Sequence, residues 1–289
     1  MKIDGKTQLI GLLGWPVSHS RSPFMHNAAS QAEEKNLAYL PLPVHPEAVE
    51  DALRGLPALG FLGVNVTVPH KQAVMSFLDE IDPAARAIGA VNTILFTQQP
   101  DESYPPKSKG FNTDWLGFQD DLINYGVEFK GRDCLVLGAG GSARAVVYAL
   151  LKGEANVVLC ARRLEQAQAL IADMEGHSLA GKATAFMFDQ LDLVLSQISA
   201  PLIINTTPVG MFPNISQSIW PETCAFPAGS FVYDLVYTPA ETLLMSQASA
   251  AGCGAANGLG MLVGQGASAF AIWTGITPSL AVMEAALAD

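Results

Sequence analysis

The segment Asn65-Val66-Thr67-Val68-Pro69-His70-Lys71 gathers side chains suited to acid–base chemistry. Read as extended chain, it alternates: Val64, Val66 and Val68 face one side, Asn65 and Thr67 the other. Pro69 reads as a helix start, which sets Lys71 in a first turn. The positive end of such a helix disfavours a protonated amine, making Lys71 a candidate general acid or base. An ordinary surface lysine is the competing reading. A second cluster is Gly110-Phe111-Asn112-Thr113-Asp114. Asn112, Thr113 or Asp114 can each cap a helix, whereas an active-site Asp114 would bond a substrate hydroxyl and pair with Lys71. Between Pro16 and Pro23, Ser18-His19-Ser20 carries hydroxyls at i and i+2. In an extended segment they share a side and suit a carboxylate; a polar turn is the alternative. His19 and His26 have no supporting ligand cluster, so no metal is expected.

A third constellation is Leu137-Gly138-Ala139-Gly140-Gly141-Ser142-Ala143, a G-x-G-x-x-A pattern after an apolar run and before a helical one. The first glycine permits a tight turn, the second admits pyrophosphate to the backbone, and the small third residue lets helix and strand pack closely. Exposed amides and the positive helix end then hold phosphate. A glycine turn that only connects elements is the bland alternative; the β-α-β context favours a dinucleotide. NAD binders place a carboxylate at the end of the next strand for the ribose 2′-hydroxyl. Here that strand ends at Cys160, followed by Ala161-Arg162-Arg163. Two guanidiniums suit a 2′-phosphate, so NADP(H) is expected over NAD.

These groups need a frame of alternating strands and helices, the signature of an α/β fold. Strands are expected near Thr7–Leu13, Val64–Val68, Val91–Phe96, Asp133–Leu137, Asn156–Cys160, Leu202–Asn205 and Phe231–Leu235. Helices are expected over Ser22–Lys35, Asp82–Gly89, Asp114–Asn124, Ala143–Leu151, Leu259–Trp273 and Ser279–Ala288. The polar, proline-bearing stretch Thr97–Lys109 reads as a surface loop near a domain boundary.

Composition removes several classes. The chain has 289 residues, 16 Lys+Arg against 27 Asp+Glu, and a net charge of −11; 15% of residues are charged and 49% hydrophobic. Ordinary domains carry about 25% charged residues, and so apolar a chain builds a core rather than staying disordered. Its length suggests two domains. No Lys or Arg follows Lys182. Neither a nucleic-acid face nor a polybasic membrane anchor is on offer. The uncharged run Thr242–Met283 raises a membrane span, but Gly252, Gly254, Gly258, Gly260, Gly264, Gly266, Gly275 and Pro278 interrupt it. A buried helix with a glycine-rich loop is expected instead. Met1–Gln8 lacks the apolar core of a signal peptide, so the cytoplasm is the expected compartment. Cys134, Cys160, Cys224 and Cys253 show no metal or redox spacing and read as small buried hydrophobes.

In the motifs that hold these residues, the sequence resembles the shikimate dehydrogenase family along nearly its whole length. The motifs are Gly14-Trp15-Pro16-Val17-Ser18-His19-Ser20 with Ser22-Pro23 and His26-Asn27; Gly63 through Lys71; Gly89-Ala90-Val91-Asn92-Thr93; and Asn112-Thr113-Asp114. Gly138-Ala139-Gly140-Gly141, Asn205-Thr206-Thr207-Pro208-Val209-Gly210-Met211, Tyr233-Asp234-Leu235-Val236-Tyr237, and Gly258-Leu259-Gly260-Met261-Leu262 with Gln265-Gly266 follow in the family's order. The resemblance implies reversible NADPH-dependent reduction of 3-dehydroshikimate to shikimate, toward chorismate and the aromatic amino acids. A dual quinate/shikimate enzyme and a non-catalytic NADP sensor are the rival readings.

The resemblance further implies that Lys71 and Asp114 are the catalytic pair, that Ser18 and Ser20 hold the substrate carboxylate, and that Asn65, Thr67, Asn92, Tyr237 and Gln265 line the substrate site. It assigns Gly138, Ala139, Gly140, Gly141, Ser142, Ala161, Arg162, Arg163, Thr206, Leu235, Gly258 and Met261 to the cofactor. It implies an α/β substrate-binding domain, 1–113 with 258–289, and a Rossmann-type NADP-binding domain, 114–257, with the active site in the cleft between domains. The partners are then small molecules, in a monomer or homodimer. Three departures stand out: Ala161-Arg162-Arg163 replaces the family's usual Asn-Arg-Thr, Trp115 stands where glycine commonly follows the aspartate, and the Thr97–Lys109 loop looks long. The Ser18-x-Ser20 pattern resembles the shikimate-using branch.

Overall fold

The computed structural model describes residues 3–98 and 104–288. The strands are β1 (Gln8–Gly14), β2 (Leu37–Pro43), β3 (Phe61–Val66), β4 (Glu80–Ile81), β5 (Thr93–Thr97), β6 (Lys107–Phe111), β7 (Asp133–Leu137), β8 (Asn156–Ala161), β9 (Lys182–Met187), β10 (Leu202–Asn205), β11 (Phe231–Asp234) and β12 (Gly254–Asn257). The helices are α1 (Ser22–Ala32), α2 (Val49–Ala58), α3 (Pro83–Ile88), α4 (Asp114–Asn124), α5 (Gly141–Lys152), α6 (Leu164–Met174), α7 (Leu191–Leu195), α8 (Leu243–Ala250), α9 (Leu259–Thr274) and α10 (Leu280–Ala285). The chain divides into two compact units: residues up to Gly117 with those from Val263 on, and Phe118–Leu262. Both divisions fall inside helices, α4 and α9, a few residues beyond the expected borders.

The first unit holds a mixed sheet in the order β2-β1-β3-β5-β6-β4. β1, β2 and β3 run parallel, and β5 is antiparallel to both β3 and β6. The two-residue period of a strand decides which face each side chain joins. Leu13 of β1 packs with Val64 and Val66 of β3 against Leu53 and Leu56 of α2. Ile10 and Leu12 join Tyr39 and Trp273 on the opposite face. On α1, Pro23 stands in the first turn, where its missing N–H costs nothing.

The second unit is an all-parallel sheet in the order β12-β11-β10-β7-β8-β9. The chain runs outward from β7 through β8 to β9, then returns to β10 and runs outward the other way. The strand order therefore reverses between β7 and β10, where open α/β sheets leave a crevice for ligands at the carboxyl ends of their strands. Leu135, Leu137, Ile203 and Val232 from the sheet pack with Leu191 and Leu244 from α7 and α8.

Three expectations need correction. The alternation starting at Val64 stops at Val66: β3 ends there, and Val68 is 67% exposed rather than buried beside Val64 and Val66. Pro69 opens no helix. Lys71 lies in a turn, and the next helical segment is a short 3-10 helix, Ala73–Phe77. Thr97–Lys109 is not a boundary loop either: its ends belong to β5 and β6, which pair from Thr93↔Phe111 to Thr97↔Lys107. Residues 99–103 of that stretch lie outside the described residues. The helix expected over Leu259–Trp273 is present as α9, with Gly260, Gly264 and Gly266 inside it. Among the described residues, no helix is long and apolar enough to cross a membrane.

Candidate active site

The first unit brings Lys71 and Asp114 into direct contact. Lys71 Nζ lies 2.6 Å from Asp114 Oδ2, with the two side chains only 17% and 9% exposed. The loop after β3 presents the lysine: Thr67 N–H donates to the Leu13 carbonyl at 2.9 Å and His70 N–H to the Thr67 carbonyl at 2.9 Å. His70 Nε2 meets the Val44 carbonyl at 2.8 Å, and Val91 N–H donates to the Lys71 carbonyl at 2.7 Å. The lysine backbone is thus tied down on both sides, which fixes the point from which its side chain reaches Asp114.

Asp114 opens α4, and the three candidate caps now separate. Asn112 Oδ1 accepts the Asp114 N–H at 3.0 Å, so Asn112 does the capping. Thr113 N–H is taken by Asn92 Oδ1 at 2.8 Å. The Asp114 carboxylate is left for Lys71 and Asn92, whose Nδ2 donates to Oδ1 at 2.8 Å. Asn92 Nδ2 also lies 3.4 Å from Gln265 Oε1 of α9.

From Asn92 the hydrogen bonds continue. Thr93 Oγ1 donates to Asn92 Oδ1 at 3.0 Å, Asn65 Nδ2 donates to Thr93 Oγ1 at 3.0 Å, and Tyr39 OH donates to Asn65 Oδ1 at 2.8 Å. Ser22 contacts the Tyr39 hydroxyl, and Ser20 Oγ donates to Ser22 Oγ at 3.3 Å. Six neutral side chains therefore lead from the surface to the ion pair: Ser20, Ser22, Tyr39, Asn65, Thr93 and Asn92. Fixed neutral dipoles around one buried ion pair suit a polyhydroxylated substrate, because each can donate or accept.

Ser18 is exposed and Ser20 and Thr67 are half-buried at this unit's surface. Burial pushes the Tyr39 phenol well above its ordinary range. His26 stacks on the Tyr39 ring at 4.3 Å with both imidazole nitrogens shielded from solvent, and burial, opposed in part by the Asn65 side chain, drives its pKa down to about 3. Sequence reasoning overlooked Tyr39 and Thr93 as members of this network. Tyr39 sits on a strand that carries Pro41 and Pro43, and Thr93 reads merely as a β-former beside Asn92.

The second unit carries the other predicted set, including Tyr237, which follows β11. Gly138 follows β7 with φ +103°, a conformation that favours glycine, and a Cβ there would lie 2.7 Å from Thr207 Cγ2 and 2.9 Å from Thr206 Oγ1. The glycine turn and Thr206 therefore meet at the reversal between β7 and β10. Asn205 and Asp234 fix the neighbouring strand ends. Asn205 Nδ2 donates to Asp234 Oδ1 at 2.9 Å, Thr242 Oγ1 to Asp234 Oδ2 at 2.7 Å, and Val236 N–H to Oδ1 at 3.0 Å.

The residues fit a phosphorylated dinucleotide. At Gly140 and Gly141 an added Cβ would meet nothing within 4 Å, so the start of α5 is open to a phosphate. β8 ends at Ala161 with no carboxylate to repel a 2′-phosphate, and Arg162 and Arg163 next to it are exposed. Arg163 Nη2 donates to Gln166 Oε1 at 2.8 Å, which holds its guanidinium beside the strand end.

A parallel sheet with an open glycine turn at its reversal point, in one chain with a lysine–aspartate pair set among amides and hydroxyls, places the protein among the dinucleotide-dependent α/β oxidoreductases. The shikimate dehydrogenase substrate binding domain matches residues 12–94, and the shikimate 5′-dehydrogenase C-terminal domain matches residues 258–288. A shikimate dehydrogenase (NADP(+)) of Salinibacter ruber is 45% identical over 294 residues, covering 100% of both chains. Among solved structures, a shikimate dehydrogenase in complex with NADP+ is 40% identical with a TM-score of 0.87, covering 99% of this chain and 96% of that one. The Thermus thermophilus shikimate 5-dehydrogenase in complex with NADP(H) and shikimate is 35% identical with a TM-score of 0.82, covering 97% and 98%. The chain belongs to the shikimate dehydrogenase family.

Proposed function

We propose that the protein catalyses the reversible NADPH-dependent reduction of 3-dehydroshikimate to shikimate. The observation that carries this reading is the buried Lys71–Asp114 pair at 2.6 Å, with Asn92 bridging from Asp114 toward Gln265. NADPH, when bound, supplies the hydride. As the ketone carbon is reduced, negative charge grows on its oxygen, and the Lys71 ammonium stabilises that charge and donates the proton. Asp114 orients the ammonium and a substrate hydroxyl, and Asn92 holds Asp114. In the reverse direction Lys71 accepts the proton from the shikimate hydroxyl.

Ser18 and Ser20 take the substrate carboxylate through their hydroxyls, and Asn65, Thr67, Asn92, Tyr237 and Gln265 bond the ring substituents. The amides from Gly138 to Ser142 hold the pyrophosphate. Arg162 and Arg163 hold the 2′-phosphate at Ala161, and Thr206, Leu235, Gly258 and Met261 line the path toward the nicotinamide. The reading includes a cytoplasmic monomer or homodimer. Adding 3-dehydroshikimate to the protein with NADPH should oxidise the cofactor and yield shikimate by chromatography. A folded protein that binds NADPH yet oxidises none of it would point instead to a sensor.

A further inference from the structure

The buried carboxylate of Asp121 takes no part in the chemistry above. It lies on α4 within the second unit, only 6% exposed, in a chain where such a charge is costly unless it is bonded. Tyr233 of β11, fully buried, donates its hydroxyl to Asp121 Oδ2 at 2.5 Å. The same phenol oxygen receives the backbone N–H of Met261. Phe118, one turn before Asp121, packs edge-on against the Tyr233 ring at 5.3 Å. A methyl group at Gly260 would overlap the Asp121 carboxylate, so glycine alone lets the first turn of α9 come this close. Leu262 N–H donates to the Gly258 carbonyl at 3.0 Å, closing that first turn. A negative charge at the start of a helix is also favoured by its dipole.

We propose that Asp121 and Tyr233 are positioning residues for the dinucleotide: they clamp the first turn of α9 so that Gly258 and Met261 meet the nicotinamide end of NADP. The inference rests on the assignment of Gly258 and Met261 to the cofactor under the proposed function. The clamp runs from carboxylate to phenol to the Met261 amide. Releasing it frees the turn without touching Lys71, Asp114 or the glycine turn. Ordering cost then moves from folding to binding, and affinity for NADP falls.

Tyr233→Phe removes both phenol bonds and keeps the ring against Phe118. NADP binding is measured by calorimetry in the full chain without substrate, with KM for each substrate and kcat alongside. The dissociation constant and KM for NADP should rise more than threefold, with KM for shikimate changed less than threefold. A smaller change for NADP, or an equal loss for both ligands, overturns the proposal, even if the melting temperature falls. Should Tyr233→Phe fail to fold, Asp121→Asn keeps the shape and an acceptor oxygen, and Asp121→Ala removes both. The expected result is more than threefold weaker NADP binding in Asp121→Ala and recovery to within threefold of the parent in Asp121→Asn; equal affinity of the two variants overturns the clamp. A parent protein that binds no NADP sinks the functional reading itself, whereas a parent that binds and turns over beside unaffected variants sinks only the clamp.

Discussion

Replacing Lys71 by Met keeps the length of the side chain and removes its charge and protons. Its magnitude follows from what the 2.6 Å pair supplies. A positioned acid–base group is worth about 10²–10⁴ in rate, and a charge aimed at a developing oxyanion about 10²–10³. Lys71 does both through one nitrogen, so Lys71→Met should lower kcat by roughly 10³–10⁵ while KM for shikimate moves by less than about fivefold. Asp114→Asn keeps the bond from Asn92 in shape but loses the ion pair, leaving the ammonium loosely aimed. A misplacement of about 1 Å costs on the order of 10²-fold, and that is the loss expected for this variant. Because Asp114 acts largely through Lys71, the double variant should be no slower than Lys71→Met within about tenfold. Initial rates of NADP reduction for the parent, both single variants and the double variant complete the cycle. Strictly multiplicative losses would show that the two residues act independently and refute the pair. An unchanged kcat in Lys71→Met would remove the lysine from the chemistry.

Other consequences follow from the same geometry. Asn92→Ala deletes a bond to a charged partner and leaves the Thr113 N–H and the Thr93 hydroxyl proton without their Asn92 acceptor in a buried site; a loss of roughly 3–5 kcal/mol is expected, seen as a melting temperature lower by roughly 5–10 °C, and an unshifted melt would contradict the network. Changing Arg162 and Arg163 together to Ala should cut kcat/KM for NADP by about 10–100-fold, the worth of a charge-assisted contact, and leave NAD little affected; equal losses for both cofactors would count against a 2′-phosphate site. His26 titrates at about 3 in the folded protein against an ordinary value of 6.5. Above pH 6.5 neither state carries the proton. As pH falls from 6.5 toward 3 the unfolded chain takes it up first, so stability is lost across that window. His26→Phe, which preserves an aromatic ring against Tyr39, should flatten this acid loss in pH-dependent unfolding, and an unaltered acid limb would exclude His26 as its source.

The parts of the fold legible in the sequence are those whose residues are constrained on several sides. α4 runs from Asp114 to Asn124 as its pattern predicts, and β7, the glycine turn and α5 follow the expected order. Five strands escaped reading: β6, hidden in the stretch that reads as a loop, and β2, β4, β9 and β12, the four edges of the two sheets. An edge strand is covered on fewer sides and tolerates proline and polar residues. β2 carries Pro41 and Pro43, β12 is Gly-Ala-Ala-Asn, and no β9 residue is fully buried. Pro69 misled because proline suits a turn as well as a first helical turn; only the placement of Ala73–Phe77 separates the two. In the site, Lys71, Asp114 and Asn65 were readable as types that bond substrates, whereas Asn92 and Gln265 came only from the family resemblance. Tyr39 was not, because its hydroxyl reaches Asn65 across twenty-six residues of chain, a relation that only the β1–β2–β3 register creates.

The most direct test sets shikimate and quinate against NADP and NAD in one series of initial rates at alkaline pH. Shikimate with NADP should give the highest kcat/KM, with quinate and NAD each markedly poorer. Turnover of quinate with NAD at or above that of shikimate with NADP, or no oxidation of shikimate by protein that binds NADP, would contradict the proposed function.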